Sequence, residues 1–234
     1  MRPFFTYYGG KWRAAPKYPR PAHRRIVEPF AGSAGYALRH HSHDVVLVER
    51  DPVVASVWRY LLTATASDVR SLPDLAIGQD VRDLGLCPGA TSLIGFWCTR
   101  GAAAPNRTLS AWGREPRYRS QFWGPTARER IASQIGAIRH WTIIEGSHTE
   151  APTDAATWFI DPPYQAAGKH YRMGSSTIDY PALGDWCMTR VGQVIVCEQT
   201  GADWLSFAHH TTIKANESAT GGRTSAEAIW LGGI

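Results

Sequence analysis

The strongest constraint on the fold is a recurring unit: a short apolar run that closes on an acid, then a turn, then a helix-forming segment. Asp44-Val-Val-Leu-Val-Glu49 is one such run, and helix-like apolar spacing over 52–63 follows it. Ala156-Thr-Trp-Phe-Ile-Asp161 is another, followed by a Pro-Pro turn. Residues 25–27 lead into a glycine-containing turn and a helix candidate at 34–41. Residues 141–145 and 193–197 are further strand candidates, 180–190 is a further helix, and 226–231 is a late strand. Strand, turn and helix in repetition predict an α/β fold with a mostly parallel sheet. Ligands of such sheets bind beyond the carboxyl ends of the strands, where this chain places Glu28, Glu49 and Asp161.

The interval 84–140 breaks the rhythm. It is rich in Gly, Pro, Arg and Trp and reads as an insertion into a unit formed by 1–83 and 141–234. A long irregular segment inside a compact domain is functional or disordered, and its Trp and Phe content argues against plain disorder. Arg100, Arg107, Arg114, Arg117, Arg119, Arg128 and Arg130 interleave there with Trp97, Trp112 and Trp123. Guanidinium groups suit phosphates and aromatic rings suit bases, so this stretch is the candidate DNA-recognition region. A packed surface subdomain with a solvated charged face is the plainer alternative.

Composition bounds the rest. The 234 residues are 44% hydrophobic and 19% charged, a globular composition for one domain with or without an insertion. The net charge of +5 is carried more by arginine than by lysine, which favours a polyanionic partner. Cys87, Cys98, Cys187 and Cys197 form no CxxC pair, which argues against a metal site and for a reduced, cytoplasmic setting. Neither a signal-peptide h-region nor a run of about 18 apolar residues is expected from the sequence.

Asp161-Pro162-Pro163-Tyr164 is the sharpest chemical signal. Two prolines hold an extended turn and donate no N–H, leaving carbonyls to accept. A carboxylate adds a second acceptor and the tyrosine a flat face. An exocyclic amine on a nucleobase needs this set: acceptors in two directions and a π surface against the ring. A strand-ending turn is the alternative, since Asp and Pro are common turn formers. Val27-Glu28-Pro29-Phe30-Ala31-Gly32-Ser33-Ala34-Gly35 would let a nucleoside cofactor approach the backbone, a signal shared with dinucleotide-binding enzymes. Glu49 lies 21 residues after Glu28, where a carboxylate can accept ribose hydroxyls; Asp51 competes for that role. Phe4-Phe5-Thr6-Tyr7-Tyr8-Gly9-Gly10-Lys11 is a candidate lid, with Lys11 available to a carboxylate or phosphate.

These four elements, in this order, resemble the alpha-group (Dam-type) DNA N6-adenine methyltransferase family. The resemblance runs from Phe4 to about residue 204. It implies a Rossmann-like class I methyltransferase sheet with a small inserted target-recognition region. It implies S-adenosyl-L-methionine as cofactor and double-stranded DNA as partner, with no metal and a monomer or weak dimer. The implied setting is a bacterial or phage-infected cell, in restriction-modification or phage protection. Tyr7, Gly9, Gly10 and Lys11 would approach the methionine end of the cofactor or the target base. Glu28 and Gly32 would line the cofactor loop, and Glu49 would hold the ribose. Ser147 and His148 would stand beside the cofactor's adenine, in place of the acid or aromatic the family favours. Asp161, Pro162, Pro163 and Tyr164 would grip the target adenine. Two further departures are Ala34 before Gly35 in AGSAG and a short variable segment. The alternatives are an N4-cytosine or RNA amino-methyltransferase with the same site, a catalytically silent nucleic-acid-binding module, and a nicotinamide-dependent oxidoreductase. The last explains neither DPPY nor the Gly-Gly-Lys element.

Overall fold

In the computed structural model, which describes residues 1–168, 171–214 and 224–233, the apolar runs become strands of one seven-stranded mixed sheet. They are β1 (Arg25–Glu28), β2 (Asp44–Glu49), β3 (Thr142–Glu145), β4 (Ala156–Ile160), β5 (Gly192–Gln199), β6 (Ala208–Lys214) and β7 (Thr224–Gly232). The order across the sheet is β3-β2-β1-β4-β5-β7-β6. The first five strands run parallel, and β7 is antiparallel to both β5 and β6. From β1 the chain moves outward to β2 and β3, then returns to place β4 on the other side of β1. The connections after β1 and β4 therefore leave in opposite directions and open a crevice at the strand ends.

The helices are α1 (Pro52–Thr63), α2 (Ala66–Ser71), α3 (Pro88–Trp97), α4 (Ala111–Arg114), α5 (Pro125–Ala132) and α6 (Tyr180–Met188). In α1, Asp51 caps the first turn by accepting from the Val53 amide at 2.9 Å, and Pro52 stands at the position where a missing N–H costs nothing. Its buried residues, Val54, Ala55, Val57, Trp58 and Leu61, recur at helical spacing. One side of the sheet, with Ile26, Leu47, Phe159 and Ile195, shares a core with α1, α3 and the N-terminal Phe4 and Phe5. The other side, with Val27, Trp158, Ile160 and Val196, packs against Leu183 and Cys187 of α6. Every residue of β4 is buried, as a central strand covered on both faces requires.

Three differences from the sequence reading have local causes. The helix expected at 34–41 is reduced to a 3-10 turn, Ala37–His40. Ala34 has φ +50°, which interrupts a right-handed helix, and a Cβ on Gly35 would lie 2.5 Å from the Trp12 nitrogen. The interval 84–140 is less irregular than its composition suggests, since it supplies α3, α4 and α5. Strand β6 was not anticipated at all. The strand expected at 226–231 is β7, and residues 215–223 before it lie outside the described residues.

Candidate active site

A cavity of about 590 Å³ opens at the carboxyl ends of β1, β2 and β4. Its floor is the turn after β1. The Gly32 amide donates to Glu49 Oε2 at 2.8 Å, and the Gly32 carbonyl accepts from Trp58 Nε1 at 2.8 Å. The first strand's turn is thus tied both to the end of β2 and to α1. Glu49 Oε1 accepts from the Asp51 amide at 2.8 Å. Burial pushes the Glu49 carboxyl up to about 7, against the pull of the Asp51 and Gly32 amides. Glu28 also lines the cavity and accepts from the Ala37 amide. Burial pushes it up to about 8, with the Ala37 amide opposing. Asp51 lines the same cavity; its Oδ1 caps α1, and its Oδ2 lies 3.7 Å from Arg172 Nε.

At the other end, Lys11 and Asp161 meet. Lys11 Nζ is 2.8 Å from Asp161 Oδ1 and 3.1 Å from the Gly9 carbonyl. The ammonium also stands 4.7 Å from the centre of the Tyr164 ring. Burial works to lower the Lys11 pKa, but the negative charge of Asp161, with that of Glu227, outweighs it and holds the amine above the ordinary lysine range. Burial raises the Asp161 carboxyl, and the Lys11 charge offsets part of that rise. The N-terminal element reaches this position because α3 holds it: Trp97 Nε1 donates to the Phe4 carbonyl at 2.8 Å, and Thr6 Oγ1 donates to the Phe96 carbonyl at 2.7 Å.

The third wall is aromatic. The His148 ring stacks on Phe30 with centroids 5.5 Å apart and meets Trp186 edge-on at 4.9 Å. Burial lowers the His148 pKa, reinforced by Arg190 and Arg50, so the imidazole is neutral near pH 7. Ser147 begins the turn that carries His148, in a reciprocal capping pair with Glu150.

Tyr7, Gly9, Gly10, Lys11, Glu28, Gly32, Glu49, Ser147, His148, Asp161 and Pro163 all line this one cavity. Pro162 and Tyr164 are not among the lining residues. Pro162 is buried, and the Tyr164 hydroxyl donates to Glu227 on β7. The Pro163 carbonyl accepts from the Tyr180 hydroxyl at 2.5 Å. Sequence reasoning missed Phe30 as a ring partner, and it missed Glu227, Tyr180 and Tyr171. The Tyr171 hydroxyl donates to the Tyr8 carbonyl at 3.2 Å, and its ring lies 6.0 Å from Tyr7 at the cavity wall. No short motif marks Glu227, Tyr180 or Tyr171, because their partners are distant in the chain.

The arginines of 84–140 divide into two sets. Arg114, Arg117 and Arg119 are exposed, beside an exposed Trp112 whose ring lies 5.3 Å from Tyr118. Arg117 covers the Tyr118 ring at 4.7 Å and pairs with Glu115 at 2.8 Å. Arg100 and Arg107 are exposed on the connection after α3. Arg128, in contrast, is spent within the protein on the Leu72 carbonyl at 2.9 Å and Asp74 at 2.6 Å. Arg130 lies over the Trp97 ring at 4.3 Å.

No family model matches this sequence, and no curated protein matches it. Among the described residues there is no cluster of His, Cys, Asp and Glu fit to hold a metal ion, and no helix long and apolar enough to cross a membrane.

Proposed function

We propose that this protein transfers a methyl group from S-adenosyl-L-methionine to the N6 amine of adenine in DNA. The observation that carries the reading is the Lys11–Asp161 contact. It joins the Gly-Gly-Lys element to the DPPY turn at one end of a cavity whose other end holds Glu49. Three motifs separated by most of the chain meet around one space, and nothing in the packing of an α/β sheet demands that.

The residues fit the cofactor. The Glu49 oxygens accept from the backbone amides of Gly32 and Asp51, with Arg50 beside them, and four lone pairs leave room for a hydroxyl. The cavity volume lies in the range of nucleoside-sized ligands. Phe30, His148 and Trp186 offer flat apolar faces for an adenine, and a neutral imidazole can accept from its amine. When bound, the cofactor supplies a sulfonium methyl that needs no further activation. The chain's own work is then to hold and orient. Asp161 and the Pro162 carbonyl accept from the two N–H bonds of the target amine, Tyr164 offers its ring to the base, and Lys11 favours the charged form of Asp161 and holds it in place. The seven-stranded sheet, with its crevice at the β1/β4 reversal, suits a Rossmann-like methyltransferase core. The exposed Arg114, Arg117, Arg119 and Trp112 suit a DNA face.

The test uses purified protein, labelled S-adenosyl-L-methionine and unmethylated plasmid DNA, read by nucleoside mass spectrometry. N6-methyladenine that disappears in Asp161→Ala is the expected result. N4-methylcytosine would correct the base, and label on RNA alone would correct the substrate. A protein that binds the cofactor and labels neither would sink the reading.

A further inference from the structure

Strand β7 carries a carboxylate where the sheet would favour an apolar residue. Side chains alternate along a strand, so Glu227 shares a face with Ile229, which belongs to the core that also holds Cys197, Phe159 and Tyr18. Glu227 is 5% exposed and lies opposite Gln199 of β5 and Thr211 of β6. Burying a carboxylate on such a face is unfavourable unless partners are built for it. One partner comes from the candidate active site. The Tyr164 hydroxyl donates to Glu227 Oε2, the Lys11 ammonium covers the Tyr164 ring at 4.7 Å, and the same ammonium meets Asp161 at 2.8 Å.

A tyrosine ring held only by packing can tilt about its side-chain torsions. Tyr164 is held at three points: the backbone of the DPPY turn, the ammonium against its ring, and an acceptor at its far oxygen. The ring stays partly exposed while its hydroxyl is anchored on β7. We propose that Glu227 is a positioning residue for this site: by accepting the Tyr164 hydroxyl it fixes the plane of the ring beside Asp161, and so sets how a flat base is held. The proposal rests on the reading of Tyr164 as the base-stacking face. It adds a residue 63 positions beyond the motif, on a strand that lends no described residue to the cavity wall.

The test is a double-mutant cycle in the full chain, with Glu227→Ala, Tyr164→Phe, the two combined, and Glu227→Gln. Initial rates are measured on unmethylated plasmid DNA over a range of DNA and S-adenosyl-L-methionine concentrations, and melting is followed for each variant. Glu227→Ala and Tyr164→Phe are each expected to lower kcat about tenfold. The double variant should be no worse than the poorer single, and KM for the cofactor should not move. Glu227→Gln keeps an oxygen that accepts from the phenol and should restore most of the rate. Losses that multiply in the double variant would overturn the proposal. So would a Glu227→Gln as impaired as Glu227→Ala, or a Glu227→Ala that melts lower with kcat intact. If the wild-type protein methylates no DNA, the proposed function falls and the melting cycle decides the tether by itself. Coupling between the two positions keeps it; additive losses remove it.

Discussion

Lys11 and Asp161 are each costly to bury alone, and their contact sets two expectations at the scale of the residue. Removing one partner leaves the other charge uncompensated in a low-dielectric setting. Asp161→Ala should therefore lower stability by on the order of 3 kcal/mol in addition to ending turnover. Lys11→Met combined with Asp161→Ala should recover part of that stability and none of the activity. A double variant no more stable than Asp161→Ala would show that the pair does not hold Lys11 in place. Glu28 offers a pH test. Its folded pKa of about 8 lies above its ordinary 4.5, so the protonated form is the one the fold favours. The stability it contributes is full below about 4.5 and is lost as pH rises through about 8, an effect on the order of 5 kcal/mol. Glu49 is shifted the same way and contributes in an overlapping window. Glu28→Gln, which keeps an acceptor for the Ala37 amide, should flatten part of the fall in melting temperature between pH 5 and 8. Superimposable wild-type and variant curves would refute the assignment.

At the scale of the element, the parallel part of the sheet was legible because its strands are short apolar runs, most of which close on an acid. The acids mark the carboxyl ends where the cavity opens. What the sequence hid follows from context. Gly89 and Gly95 make 88–97 read as loop, yet Gly95 is where α3 meets the next connection: a Cβ there would lie 2.6 Å from the Pro105 side chain. The run Ala-His-His-Thr-Thr-Ile-Lys lacks a clear apolar alternation because β6 pairs with β7 alone, at the sheet's edge. Glu227 was invisible for a related reason: the strand pattern does not announce which carboxylate meets a tyrosine from another loop. The surface of α4 and the turn after it yields its own prediction. Replacing Arg114, Arg117 and Arg119 by Ala should lower the salt slope of DNA binding by about 1–3, the spread reflecting how far Glu115 already occupies Arg117. Arg128→Ala should leave that slope unchanged and lower the melting temperature, since its guanidinium ties α5 to the Leu72 carbonyl and Asp74. The reverse pattern would move the DNA face onto α5.

Across the whole molecule, the cavity is where separate parts of the chain are joined. The N-terminal segment is strapped to α3, the turn after β1 is bolted to β2 through Glu49 and to α1 through Trp58, and the DPPY turn reaches β7 through Glu227. A ligand filling this space touches most of these parts at once and binds the folded chain only. At a concentration about a hundredfold above half-saturation, S-adenosyl-L-methionine should stabilise the fold by about 2.7 kcal/mol. In a chain of this length that corresponds to a rise in melting temperature of roughly 5–10 °C. Glu49→Gln removes the charge on the acceptor of the ribose hydroxyls and should shrink the rise at the same ligand concentration. The wild-type rise should also grow from pH 6 to pH 8, because hydroxyl donors favour the ionised carboxylate and its pKa of about 7 lies within that span. A nicotinamide dinucleotide should produce no comparable shift. If it does, and S-adenosyl-L-methionine does not, the same cavity belongs to hydride transfer, and the DPPY turn with its Lys11 contact needs another explanation.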